Sequence, residues 1–444
     1  MEQKTMRRAT LVLIFLAAAL LLARPALAQA ETRVLVLTAN GVVTPAMRDY
    51  ILRGIEVADQ QGYDLLVLQL NTPGGGIGTM TEIVAAMRQS RVPIVVYVTP
   101  RGAMAGSAGT LITLAGHAAA MAPETIIGAA SPIDASGQDL GATAQKKEME
   151  ALTALVRTLA ARRSPQAVDL AEATITQAQA VSASEALEAG LVDFSAAGLT
   201  DLLKQLDGYT VTVADQEMTL ATAHTRADAL PMTFIEQLLA ILVNPNISFL
   251  LLTIGVQAIL IELSSPGGWV AGFIGAVALA LAGYGLGVLP VNWFGALFML
   301  IAFVLFVLDI KAPTHGALTA AGIGAFIVGA LVLFNSPNVP QFQRVSIPLV
   351  IATGLTVGAS FALLVGIGLR AQKAPVQSGS ETLLGATGVA RGEINPHGQA
   401  QVRGELWSVE LADEAGGAIQ PGEKVTVVAV QGIRLKVRRN AQSR

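Results

Sequence analysis

The sequence predicts three architectures in one chain: an α/β domain with a mostly parallel sheet, an all-α transmembrane bundle, and a small all-β barrel. Three observations predict them. Strand-like and helix-like segments alternate from residue 33 onward, as βα units do. Residues 247–370 are almost uncharged and break into stretches near the roughly 20 residues a bilayer span needs. Beyond residue 382, short strand-like runs alternate with glycines, the pattern of a small barrel. The composition agrees, with 52% of the 444 residues hydrophobic and 14% charged, against about 25% charged in an average soluble protein.

Several function classes drop out early. A net charge of −3 gives no reason to expect nucleic acid. The chain has no cysteine, which removes disulfides, thiol catalysis and thiolate metal sites. His117, His224, His315 and His397 are scattered singly, so no metal site is predicted, and no motif calls for a cofactor.

The chain opens "MEQKTMRRATLVLIFLAAALLLARPALAQA". Lys4, Arg7 and Arg8 precede an apolar run from Leu11 to Leu22, and "ALA" or "AQA" offers a cleavage site. Residues 1–30 therefore read as a signal peptide, with an uncleaved anchor helix as the alternative. The expected mature chain starts near Gln29 to Glu31, outside the cytoplasm.

Residues 31–230 form the α/β domain. "RVLVLTA" is a strand, followed by a helix over "TPAMRDYILRGIEVADQQG", which Thr44 caps, Pro45 opens and Gly62 ends. "YDLLVLQLNTPGGG" is a buried strand running into a glycine turn, "TMTEIVAAMRQS" a helix, "PIVVYVT" a strand and "GSAGTLITLAG" a helix. Catalytic groups in such sheets sit at the carboxyl ends of strands, and both the triple glycine and Ser107 follow such ends. Helical patterning covers 145–190, and "GYTVTVADQEMTL" closes the domain as a hairpin.

Residues 231–372 form the membrane domain. "TFIEQLLAILVN" is apolar enough for the membrane interface. Five spans follow, at about 247–263, 268–287, 292–309, 317–334 and 347–369. The first is short and holds Gln257 and Glu262, so four spans stay open. Glycine and alanine let these helices approach closely. An odd number of spans puts the C-terminus in the cytoplasm, with Lys311, Arg370 and Lys373 inside and Arg344 outside. Residues 373–382 are a Pro/Ser/Gly linker, and 383–444 predict a five-stranded OB-fold barrel. Nucleic-acid binding on such a barrel needs stacked aromatics, and only Trp407 is present, so it reads as a core or interface residue of a protein-binding module.

Ser107, between Gly106 and Ala108, is the candidate nucleophile, and a serine needs a base. His117 would lie about 15 Å away along a helix, too far to share a hydrogen bond, and reads as structural. A lysine serves if burial keeps its amine neutral. The first lysines after Ser107 are Lys146 and Lys147, and helical periodicity does not choose between them or exclude that both are solvated. The turn "NTPGGG" can bring backbone N–H groups to a developing oxyanion, because no Cβ intervenes. It has no P-loop lysine, and it lacks the last glycine of a dinucleotide fingerprint.

The stretches "LNTPGGG", "VYVTPRGAMAGSAGT", "HAAAMAPETIIGAASP" and "SASEALEAGLV", followed by "GATGVAR…NPHGQAQVRGELWSV…GEKVTVV", resemble the NfeD-type membrane-bound serine proteases, relatives of ClpP. The resemblance runs from residue 31 to 440, and the order of the parts carries more than any single motif. It implies a ClpP/crotonase-like α/β fold and a Ser-Lys dyad: Ser107 as nucleophile, Lys147 as general base with Lys146 as runner-up. Gly75 and Ala108 would supply the oxyanion N–H groups, with Gly74 and Gly76 against the substrate. Implied substrates are hydrophobic segments of membrane-associated proteins; the implied partner is a stomatin/prohibitin-like membrane protein. A homo-oligomer, a dimer or larger, is also expected. Leu111 stands where the family often has an aromatic, which bears on pocket shape. The rival reading is a non-catalytic membrane scaffold for the same partner. An acyl-CoA enzyme conflicts with the signal peptide. A transporter conflicts with the lack of a charge at the middle of any span, since Glu262 and Asp309 lie at span ends. The expected location is the inner cell membrane, with the α/β domain extracytoplasmic and the barrel cytoplasmic.

Overall fold

The computed structural model describes residues 31–132, 142–264, 268–312, 314, 316–335, 343–373, 380–413 and 417–440. The expected signal peptide lies outside these residues. Two compact units divide the chain, residues 1–359 and 360–444.

The first unit begins with β1 (Thr32–Asn40), α1 (Pro45–Gln60), β2 (Leu65–Asn71), α2 (Ile77–Gln89) and β3 (Ile94–Val98). Next come β4 (Met104–Gly106), α3 (Ala108–Ala115), β5 (Ala118–Met121) and β6 (Ile126–Gly128). After residues 133–141, α4 (Ala142–Ala160), α5 (Pro165–Thr176), β7 (Ala180–Ser182), α6 (Ala183–Glu188), β8 (Phe194–Ser195) and α7 (Leu199–Leu206) follow. The domain ends with β9 (Thr210–Val213), β10 (Gln216–Thr219) and β11 (Thr225–Ala229).

Six strands form one parallel sheet in the order β11-β1-β2-β3-β5-β8. Its central strands β2, β3 and β5 are largely apolar because both faces are covered. Leu35, Leu37, Leu66, Leu68, Val96 and Val98 join the core that also holds buried residues of α1, α2 and α3. Val34, Val36, Leu65, Val67, Val95 and Tyr97 face Leu202, Leu203 and Leu206 of α7 on the other side. Helix α1 starts as expected: Thr44 Oγ accepts the Met47 N–H and Pro45 sits in the first turn. The predicted β9–β10 hairpin is present. The edge strand β11, which the sequence pattern does not announce, pairs in parallel with β1. A second sheet, β4-β6-β7, stands beside the first, so Ser107 follows the short strand β4 rather than β3.

The membrane region contains α8 (Phe234–Leu242), α9 (Pro245–Ser264), α10 (Val270–Val288), α11 (Trp293–Lys311), α12 (Ala317–Phe334) and α13 (Ile347–Lys373). The last five coincide with the five predicted stretches. Among the described residues, three of them are long and apolar enough to cross a membrane: Pro245–Leu263, Val270–Val288 and Ala317–Phe334. Trp293–Asp309 and Ile347–Leu363 are shorter apolar helices. Glycines set the close approaches: a Cβ on Gly275 would lie 2.9 Å from Gly255 O, and one on Gly329 would lie 2.9 Å from Gly295 O. The two end-of-span carboxylates cap neighbouring helices. Glu262 accepts the Trp269 N–H at 2.8 Å, and Asp309 accepts the Thr319 N–H at 3.3 Å.

In the second unit, β12 (Thr387–Ala390), β13 (His397–Val402), β14 (Glu405–Leu411), β15 (Lys424–Gln431) and β16 (Arg434–Arg439) close a barrel in the order β12-β13-β14-β16-β15. Only β14 and β16 run parallel. Val402, Val409, Val425, Val427, Leu435 and Val437 fill its centre, and the half-buried Trp407 packs against them.

Candidate active site

The site is built first from backbone. In the loop after β2, the Val43 N–H donates to Gly74 O at 2.8 Å and the Gly76 N–H donates to Val43 O at 3.2 Å. The Gly74 N–H donates to Thr72 Oγ1 at 3.0 Å. Val43 thus clasps the residues on either side of Gly75, in a parallel bridge that leaves the Gly75 N–H turned away from it. Thr72 also bridges β4: its N–H donates to Met104 O at 2.7 Å, and the Gly106 N–H returns to Thr72 O at 2.9 Å. The glycine turn and the serine turn are therefore fastened side by side.

Ser107 occupies φ 50°, ψ −117°, immediately before α3. A side-chain-bearing residue held there stores roughly 1–3 kcal/mol of strain. Hydrogen bonds hold it in place: its N–H donates to Gly128 O and its carbonyl accepts the Thr110 N–H, both at 2.9 Å. The Thr110 hydroxyl donates to Ala105 O at 2.9 Å and accepts the Gly128 N–H at 3.0 Å. The small neighbours follow from this packing. A Cβ on Gly74, itself at φ 115°, would fall 2.6 Å from Ser107 Cβ; one on Gly109 would fall 2.6 Å from Thr72 Cγ2.

Ser107, Gly75 and Ala108 line one pocket, whose other walls include the apolar residues Leu111, Ala130 and Leu152. Among the described residues, the N–H groups of Gly75 and Ala108 have no acceptor. Ala108 opens α3, where helix N–H groups are orphaned and the helix dipole favours negative charge. Two unclaimed donors beside a half-exposed hydroxyl make a corner that can stabilise an anion next to Ser107. Gly74 lies against Ser107, and Gly76 is the N-cap of α2.

The lysines are elsewhere. Lys146 and Lys147 are exposed on the first turns of α4 and line a separate opening with Thr143 and Glu150. From the same helix, Leu152 reaches the Ser107 pocket. The far end of α4 is tied down: Arg162, just beyond it, donates to Gly116 O at 2.9 Å and to His117 O at 2.5 Å. His117 sits past the opposite end of α3 from Ser107, and its Nδ1 accepts the Ile94 N–H at 2.9 Å. Burial, with Arg88 and Arg162 nearby, pushes it down to about 4. It is a structural histidine, as the helix-length argument requires.

Sequence reasoning missed Val43, Thr72 and Thr110, which orient the turn and the elbow. Thr72 and Thr110 stand within "LNTPGGG" and "GSAGT", but only the fold shows that they join those segments. Val43 carries no sequence signal.

These parts define a membrane protein with an α/β domain carrying a serine-turn site, an apolar helical region and a closed barrel. Comparison with known families places it further. The NfeD1b N-terminal domain matches residues 33–216, the NfeD integral membrane domain 246–367, and the NfeD-like C-terminal, partner-binding domain 380–439. The chain is 34% identical over 435 residues to the membrane-bound protease PH1510 of Pyrococcus horikoshii, covering 96% of each. It is 26% identical over 460 residues to the membrane protein NfeD1b of Bacillus subtilis, covering 97% of this chain and 98% of the relative. The chain belongs to the NfeD family. Among solved structures, it is similar to the 1510-N membrane protease specific for a stomatin homolog from Pyrococcus horikoshii, with 29% identity and a TM-score of 0.41. That match covers 48% of this chain and 98% of the other.

Proposed function

We propose that the chain is a membrane-bound, ClpP-like serine endopeptidase that uses Ser107 as nucleophile and Lys147 as general base. The observation that carries this is the strained Ser107 turn set beside two unclaimed N–H groups, Gly75 and Ala108. Ser107 Oγ attacks a peptide carbonyl, and the oxyanion accepts hydrogen bonds from those two groups. The lysine amine takes the hydroxyl proton and delivers it to the leaving amine; water then repeats the cycle on the acyl-enzyme. Lys147 precedes Leu152 by about 7–8 Å of helical rise. For Lys147 to serve, a peptide seated against the first turns of α4 must both bury the amine, so that it is held neutral, and draw those turns toward Ser107; catalytic contacts often tighten only with substrate bound.

The apolar pocket walls suit hydrophobic substrates. A stomatin-like partner is supported by the specificity of the Pyrococcus protease for a stomatin homolog and by the partner-binding family match of the barrel. In the proposed topology the α/β domain is extracytoplasmic, the barrel is cytoplasmic, and the protein is a homo-oligomer in the inner membrane. The exposed lysines favour the scaffold as the second reading. To separate the two, the full chain in lipid nanodiscs is incubated with a library of hydrophobic peptides, and products are read by mass spectrometry. Cleavage that Ser107→Ala and Lys147→Ala both abolish supports the dyad. No cleavage by the folded wild type, with a stomatin-like partner present, supports the scaffold.

A further inference from the structure

Helix α8 is amphipathic the wrong way round for water. A surface helix normally buries its apolar stripe and exposes its charges. Here the only charged residue, Glu236, is 9% exposed, while Phe234 is 78%, Ile235 66% and Ile241 55% exposed. Leu238 is half-buried on the same side as Phe234 and Ile241, since positions i, i+4 and i+7 share a face.

The inward side is fastened by specific bonds. Arg53 of α1 holds Glu236 with two parallel hydrogen bonds, Nε to Oε1 at 2.8 Å and Nη2 to Oε2 at 2.7 Å. Arg53 also donates to Pro231 O at 3.0 Å, and the Tyr50 hydroxyl of the same helix donates to Leu230 O at 2.7 Å. Glu236 closes a capping box with Thr233 as well. The rotation of α8 about its axis is therefore set by polar contacts to the α/β domain, and those contacts direct its phenylalanine and isoleucines outward.

We infer that this outward face lies in lipid. Helix α8 ends at Leu242, and only Val243 and Asn244 separate it from Pro245, where a helix long and apolar enough to cross a membrane begins. Its last turn is also locked to that membrane helix, with Ser248 Oγ donating to Leu242 O at 2.6 Å. A helix joined so closely to a span sits at the level of the bilayer surface, where an apolar face buried at the headgroup–acyl boundary is the stable arrangement. The α/β domain thus stands on the membrane through α8, with Arg53 and Glu236 as the joint. This holds whether or not Ser107 is catalytic.

The absence of cysteine makes the test clean. Phe234→Cys, Ile235→Cys and Ile241→Cys, with Glu217→Cys on the exposed strand β10 as the aqueous control, each carry a nitroxide in the full chain in nanodiscs. Collision with oxygen and with a nickel chelate is read by power saturation. Lipid seating predicts that oxygen reaches positions 234, 235 and 241 while the chelate is excluded, with the order reversed at 217. Equal chelate access at all four positions overturns the inference. So does dipolar broadening at 234 or 241 that disappears on dilution with unlabelled chain, which would assign the face to a second copy.

Discussion

The two halves of the candidate site are made differently. The nucleophile half is backbone: Ser107 in a strained turn, the N–H groups of Gly75 and Ala108, and the clasp of Val43 and Thr72 around them. Folding sets the positions of its N–H groups, and the short side chains of Thr72 and Thr110 are held by hydrogen bonds to the same backbone. The proposed base, Lys147, is a side chain on the exposed opening turns of α4, while the other end of that helix is held by Arg162. In the proposed mechanism the first half is complete before substrate arrives and the second is completed by what binds, so that proton transfer would be conditional on occupancy.

Substitution at Ser107 is expected to have the largest effect. Ser107→Ala is expected to lower peptide hydrolysis about 10⁶-fold, the scale seen when a serine nucleophile is removed, with far-UV circular dichroism unchanged. Next comes Gly75→Ala. Its Cβ would meet Val43 N and Val43 Cβ at 2.7 Å, so the turn must shift and carry its N–H away from the oxyanion. Loss of one such donor costs about 10²–10³ in kcat, read as a fall in kcat at nearly unchanged KM.

The third point concerns pH and stability at the far end of α3. The His117 imidazole titrates at about 4 when folded and about 6.5 when unfolded. Between those values the unfolded chain holds a proton that the folded chain does not, so stability is full above pH 6.5 and falls as pH drops. The loss levels off below pH 4 at about 3 kcal/mol. A urea titration series from pH 7 to 4 measures it, and in His117→Asn this pH dependence should flatten. The smallest effect is Ser107→Gly, which removes the strained side chain and should stabilise the domain by about 1 kcal/mol while abolishing activity. If Ser107→Gly destabilises instead, Ser107 is not strained at its positive φ.

The backbone half was the more legible half, for the same reason that it is rigid. Glycines and alanines at 74–76 and 106–109 announce close approach, because only small residues tolerate it. Likewise Thr44 and Pro45 announce the start of α1, and the five apolar stretches announce α9 to α13. What small residues do not announce is their partner: that Val43 O and Thr72 Oγ1 orient the turn depends on contacts across the fold. Strand β11, "TRADA", is polar because it lies on the sheet edge with one neighbour, so neither alternation nor burial marks it. Strand β4, "MAG", has no β-branched residue and owes its extended form to pairing with β6. The lysines were ambiguous in sequence because α4 has no core contact at either position, and both are exposed in the structure.

In the proposed mechanism a lysine amine at 147 completes the Ser107 corner. Chemical rescue tests it most directly, since the chain offers no competing thiol. Lys147→Cys in the full chain is assayed on a hydrophobic peptide before and after aminoethylation of the thiol, with Lys146→Cys treated in parallel. Lys147→Cys is expected to be inactive, and aminoethylation to restore cleavage. The acid limb of the pH–rate profile should then shift to lower pH, because sulfur in the side chain weakens the amine as a base. Full activity of untreated Lys147→Cys, or loss and rescue at position 146 instead, would contradict it.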